Sequence, residues 1–166
     1  MVKKYWVVLI ALMVGCQPGK KEAQQSADSL ASLKETDSAV SETPYAKEIN
    51  AQDTLFNDGS IPTSWSTAGF SDPVKFKLFV VSFKDWVKND QTDSIAAHIK
   101  FPLGKIKTAE EFKNNYPKLF DEPLKRAIED QHLNQIFRNQ QGAMMGSGAI
   151  WFIESNGNYY ISAINN

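Results

Sequence analysis

The sequence predicts an α+β domain, with N-terminal helices packed on a curved antiparallel sheet, and three observations predict it. Apolar residues recur at spacings of three and four over residues 76–87, and further helix-capping signals follow. Beyond residue 134 the apolar period falls to two and crosses an Asn-Gly turn. Helices first and strands last indicate segregated elements, unlike the alternation that builds a parallel sheet.

Asp72 is placed to cap a helix whose first residue is Pro73, where a missing N–H does no harm. Phe76, Phe79, Val80, Phe83, Trp86 and Val87 form one face of it, and Lys75, Lys77, Lys84, Asp85 and Lys88 the other, so the helix needs a large apolar partner. TDSIAAHI reads as a short helix capped by Thr92 or Asp93. It runs into an edge strand over residues 99–103, where Pro102 suits an edge and Gly104 a stop. Thr108-Ala109-Glu110-Glu111 is a capping box, and it opens a helix with Phe112, Tyr116, Leu119 and Phe120 on one face. Pro117 is expected to bend or interrupt that helix. Asp121-Glu122-Pro123 begins another, with Leu124, Ala127 and Ile128 inward and Lys125, Arg126, Glu129 and Asp130 as a solvated face with i, i+4 pairing. Residues 135–138 and 149–155 read as strands, and residues 159–165 as the return across Ser155-Asn156-Gly157-Asn158.

The amino terminus, MVKKYWVVLIALMVGC, has Lys3 and Lys4 before an apolar run that is too short to span a bilayer and fits a secretory signal segment, residues 1–15. Leu12-Met13-Val14-Gly15-Cys16 looks like a bacterial lipobox, and Cys16 is the single cysteine of the chain, so no internal disulfide is expected. Acylation of Cys16 is the expected membrane attachment, since more than one lipid chain gives stable anchoring. Loss of the signal segment takes the formal charge from −1 to −3, and no basic stripe remains for nucleic acid. Residues 16–69 are polar and poor in large apolar side chains, and read as a disordered tether with an arm over residues 55–69 that packs on the domain. Residues 70–166 are the expected domain.

The order of the long first helix, FPL, IKTAEEFKNNYPKLF, LKRAIEDQ, QGAMMGSGAIWF and ISAINN resembles secreted bacterial domains of the nuclear transport factor 2-like (NTF2-like, cystatin-like) α+β cone family. The resemblance implies helices inside a strongly curved sheet, around a conical pocket. Some relatives use that pocket for small-molecule catalysis, so the fold does not decide the function.

QGAMMGSGAIWF holds three glycines, as a phosphate loop would. A strand follows it and no lysine is near, so its glycines serve backbone geometry, and Met144 and Met145 point to opposite faces. Ile150, Phe152 and Glu154 share one strand face and Ala149, Trp151 and Ile153 the other; both are apolar, so both should be covered. His98 and His132 are the only histidines, and with neither a cysteine cluster nor a His-x-x-x-His pair no metal or other cofactor is expected. His98 ends a helix, where a cation suits the dipole.

The candidate pocket residues are His98, Trp151, Glu154, Tyr159 and Tyr160, with no catalytic residue assigned. The expectation is an outer-membrane lipoprotein of the cell envelope, attached through acylated Cys16, whose domain binds an envelope protein or small ligand. The alternative is an isomerase or dehydratase acting through a histidine and a carboxylate in the cone pocket.

Overall fold

The computed structural model describes residues 34–54, 56 and 60–165. The expected signal segment, Cys16 and the first third of the expected tether lie outside the described residues. Among the described residues no helix is long and apolar enough to cross a membrane.

The packed unit starts at Glu35, well before the expected boundary at residue 70. Residues 35–41 are helical (α1) and bury Val40, and α2 (Ala46–Asn50) buries Ile49. Single apolar anchors of this kind leave no periodic trace, which is why the stretch reads as tether.

Helix α3 (Pro73–Lys88) begins as expected, with the Asp72 carboxylate accepting the Lys75 N–H at 3.0 Å. Helix α4 (Thr92–Ala97) does not use the expected caps, because Gln91 takes the N-cap position without a side-chain bond. In α5 (Ala109–Leu119) the Thr108 hydroxyl accepts the Glu111 N–H at 3.2 Å, and Glu111 reaches back to the Lys107 N–H at 2.7 Å. The helix continues through Pro117, which sits in its last turn and removes one ladder donor without ending it. Helix α6 (Glu122–Glu129) is capped by Asp121 through the Leu124 N–H at 2.9 Å. Lys125 bonds Asp90, in the turn after α3, at 2.6 Å, and not the expected i+4 carboxylate.

Four antiparallel strands follow, β1 (Phe137–Asn139), β2 (Gly142–Met145), β3 (Ile150–Ser155) and β4 (Asn158–Ile164), paired in chain order. The stretch GAMM is thus a strand in its own right. Its first residue, Gly142, has φ +130°, and a Cβ there would run into the Phe152 carbonyl oxygen, so the close approach of β2 to β3 requires glycine. Asn156 and Gly157, both with positive φ, form the expected hairpin turn. The expected strand at 99–103 reduces to two bridges, one of them parallel, from Ile99 to Ile161. In it the Lys100 N–H donates to the Ile161 carbonyl at 3.0 Å and the Ile161 N–H to the His98 carbonyl at 2.7 Å. The register shifts between Trp151, opposite Ala163, and Phe152, opposite Ile161; Ser162 is the extra residue of a bulge that bends the sheet.

Phe152 is fully buried beneath α3, with ring centroids 5.8, 5.9 and 5.2 Å from Phe76, Phe79 and Phe83. Two lysines placed on the polar face of α3 by their pattern are also buried, Lys77 at 4 % exposure and Lys84 at 7 %. Lys77 bonds Asp53 at 3.0 Å, and the other Asp53 oxygen takes Arg138 at 2.9 Å and the Trp65 indole N–H at 2.8 Å. The Arg138 guanidinium lies 4.1 Å above the Trp65 ring, and its Nε donates to the Thr63 carbonyl at 2.6 Å. Farther back, Glu48 accepts the Leu133 N–H at 2.8 Å and meets His132 at 3.3 Å. Burial pushes the Glu48 carboxyl up, but the Leu133 N–H, His132 and Lys84 outweigh it and hold it below the ordinary carboxylate range.

Asp53→Asn leaves two buried cations without a carboxylate and should cost about 3 kcal/mol or more in urea unfolding; a loss under about 1 kcal/mol would refute the network's role. The lowered folded pKa of Glu48 means that its contribution is present above the ordinary carboxylate pKa and lost as pH falls through the folded value. Stability curves of wild type and Glu48→Gln should therefore converge between about pH 5 and pH 3, and parallel curves across that window would contradict the clasp.

Candidate functional site

The bent sheet has a helix-side face and an outer face, and the five candidate residues divide between them. Glu154 and Tyr159, paired across β3 and β4, lie on the helix side. Both Glu154 oxygens engage Ser71, one the backbone N–H at 2.9 Å and the other the hydroxyl at 2.6 Å, so the carboxylate pins the entry of α3 to the sheet. The Tyr159 hydroxyl donates to the Asp72 carbonyl at 3.3 Å while its ring packs on Phe70, Phe76 and Phe79. Burial pushes the Tyr159 phenol far up, and the negative charges of Glu154 and Asp72 push it further, so it stays protonated in neutral solution.

His98 is the C-cap of α4, its Nδ1 lies 2.9 Å from the Ser94 carbonyl, and its ring stacks on Trp86 with centroids 4.7 Å apart. It shares the Phe79 ring with Tyr159, at 5.3 Å from each centroid. Beneath the sheet, His98 and Tyr159 thus stand in a packing of rings, and Glu154 is bonded to Ser71 beside it.

Trp151 and Tyr160 lie on the outer face. Register sets Phe137, Met144, Trp151 and Ala163 in one row across the four strands, all half-exposed, and Ile153 beside Tyr160 extends the patch. Phe56 from the arm covers one end of the row, with its centroid 5.1 Å from that of Phe137. Three grooves lie along this face. The first, of about 240 Å³, has Phe56, Phe137 and Met144 against Gln131, Gln135 and Ser147. The second, of about 220 Å³, runs beside Trp151 and Ala163 with Gln141 and Asn165 at its rim. The third, of about 350 Å³, joins Tyr160 to Ile99, Lys100 and Phe101.

The structure thus leaves Trp151 and Tyr160 as surface candidates and adds Phe56, Phe137 and Met144, which sequence reasoning did not place there. The opposite facing of Met144 and Met145 is as expected, Met145 being fully buried, and that alternation was the available signal. Among the described residues, no three His, Cys, Asp or Glu side chains converge as metal ligands.

A double-mutant cycle on Ser71→Ala and Glu154→Ala should give a coupling of about 1–2 kcal/mol in unfolding experiments, as a charge-assisted structural pair does; coupling near zero would release Glu154 for another role. Comparison with known proteins found no matching family model, no matching curated protein and no matching solved structure.

Proposed function

We propose that this protein is a bacterial cell-envelope lipoprotein, held at the outer membrane by acylated Cys16, whose α+β domain is a non-catalytic module that binds a partner protein on the outer face of its sheet. The observation that carries the reading is the contrast between the two faces of β3. Phe152 beneath it is sealed by α3, whereas Trp151, Met144, Phe137 and Tyr160 stay half-exposed beside three grooves. Aromatic residues and methionine are enriched at the centres of protein interfaces, and polar residues form the rim, as Gln131, Gln135, Gln141, Asn165 and Lys100 do here.

The order of helices before a bent antiparallel meander supports the assignment to nuclear transport factor 2-like cones. The lipobox at residues 12–16 supports the anchor. The isomerase or dehydratase alternative needs His98, Glu154 and a tyrosine around one cavity, and it has less support, because Glu154 is engaged by Ser71 and Tyr159 by Asp72.

Photo-crosslinking residues at Tyr160 and at Met144 should capture the same protein in cells, and one at exposed Asn114 on α5 should not. That protein, purified, should bind Trp151→Ala at least about tenfold more weakly than wild type, a loss of about 1.4 kcal/mol. Equal capture from Asn114, or unchanged affinity, counts against this surface. Separately, Cys16→Ser should move the protein from the membrane to the soluble fraction; failure of the wild type to take up labelled fatty acid would remove the anchor from the proposal.

A further inference from the structure

Three cationic side chains are buried among the described residues, Lys77, Arg138 and Lys84. Lys77 and Arg138 share Asp53, whereas Lys84 has no carboxylate within 4 Å among the described residues. Its Nζ donates to the Gln131 carbonyl at 2.8 Å and sits 4.6 Å from the centroid of the Tyr45 ring. An ammonium has three donors, so one backbone acceptor and one ring leave it short of partners. An unpaired charge in such a place is unfavourable unless an anion meets it.

Lys84 also lines an open groove of about 300 Å³, on the far side of α3 from the outer sheet face, with Pro44, Tyr45 and Val81 as apolar wall. The acidic groups nearby are otherwise engaged. Glu129 pairs with Lys88 at 3.4 Å, Asp85 accepts Asn89 at 2.9 Å, and Glu48 is held by Leu133 and His132.

We infer that this groove is a receptor site for the carboxylate of a ligand with an apolar or aromatic body: the carboxylate meets Lys84 and the body lies on Tyr45, Val81 and Pro44. The volume suits a small aryl or alkyl acid or the last residue of a peptide, at the lower limit of small-molecule sites. Burial lowers the pKa of Lys84, and Glu48, Glu129 and Asp130 partly oppose this. Asp85 and Lys88 on α3 and Glu129 on α6 line the groove beside Lys84, and His132 bonds Glu48. A bound carboxylate stabilises the ammonium and so moves its titration back up toward that of an ordinary lysine.

The test uses the full mature chain with ¹³C-labelled lysine, the Lys84 ε-carbon signal being assigned by its loss in Lys84→Met. Phenylacetate, hexanoate and the peptide N-acetyl-Leu-Phe, with its free C-terminal carboxylate, are titrated beside neutral phenylacetamide. At least one acid should shift the signal saturably below roughly 10 mM and raise the Lys84 titration midpoint, with phenylacetamide at least about tenfold weaker. Lys105→Ala, at an exposed lysine outside the groove, should leave the binding within about threefold, since the site rests on Lys84, and isothermal titration should find it lost in Lys84→Met. Saturation by phenylacetate or hexanoate assigns a free acid, and by the peptide alone a C-terminus; both support the site. No saturable shift with any acid, equal binding of the amide, or undiminished binding to Lys84→Met overturns the inference, and isothermal titration of wild type with phenylacetate and phenylacetamide, which needs no assignment, decides it even if Lys84→Met fails to fold.

Discussion

Lys77 from α3 and Arg138 from β1 meet one carboxylate, Asp53, from a segment that precedes both by more than twenty residues. Two buried cations against one anion would be unfavourable alone. The Ile49, Thr63 and Ile136 carbonyls supply the remaining acceptors, and the face of Trp65 covers the guanidinium. Burial still pulls the Arg138 pKa down, and Asp53 opposes that pull. Helix, sheet and arm are thereby joined at a single point. The arm then covers the open edge of β1, where Thr54 bonds the Asn134 carbonyl at 3.0 Å and the Thr63 hydroxyl that of Arg138 at 2.9 Å. An edge covered in this way is closed to strand pairing with another chain.

The entry of α3, just ahead of Lys77, is fixed as well, by Glu154 through Ser71 and by Tyr159 through Asp72. Held at both places, α3 presents Phe76, Phe79 and Phe83 to Phe152 in tilted and edge-on contacts that suit aromatic rings. Side chains on the helix side serve to position α3, and the accessible apolar surface lies on the outer face of the same strands.

The α+β class, helix α3, three of the caps and the last hairpin were legible because each rests on local spacing. The packing of α1 and α2, ahead of the expected arm, was not, since Val40 and Ile49 stand alone and the docking of this stretch depends on Glu48 and Asp53, whose partners lie more than twenty residues away. Strand β2 was hidden by Gly142, which reads as a breaker but permits the approach to the Phe152 carbonyl. Of the candidate site, the sequence placed Glu154 and Trp151 on opposite faces, as they are. It could not show that Ser71 holds Glu154, or that Phe137 and Met144 stand in line with Trp151, because register and partners across elements leave no trace in spacing.

Lys77 and Lys84 sharpen this limit. They stand two turns apart on one side of α3, and a pattern of charges and apolar residues assigns both to solvent. What the segment of residues 45–53 brings over each is decisive. Over Lys77 it brings Asp53, and the result is a closed ionic joint. Over Lys84 it brings the Tyr45 ring and the wall of a groove, with the carboxylates of α2 and α6 engaged elsewhere. The same residue type in the same helical register is thus made structural at one position and left receptive at the other.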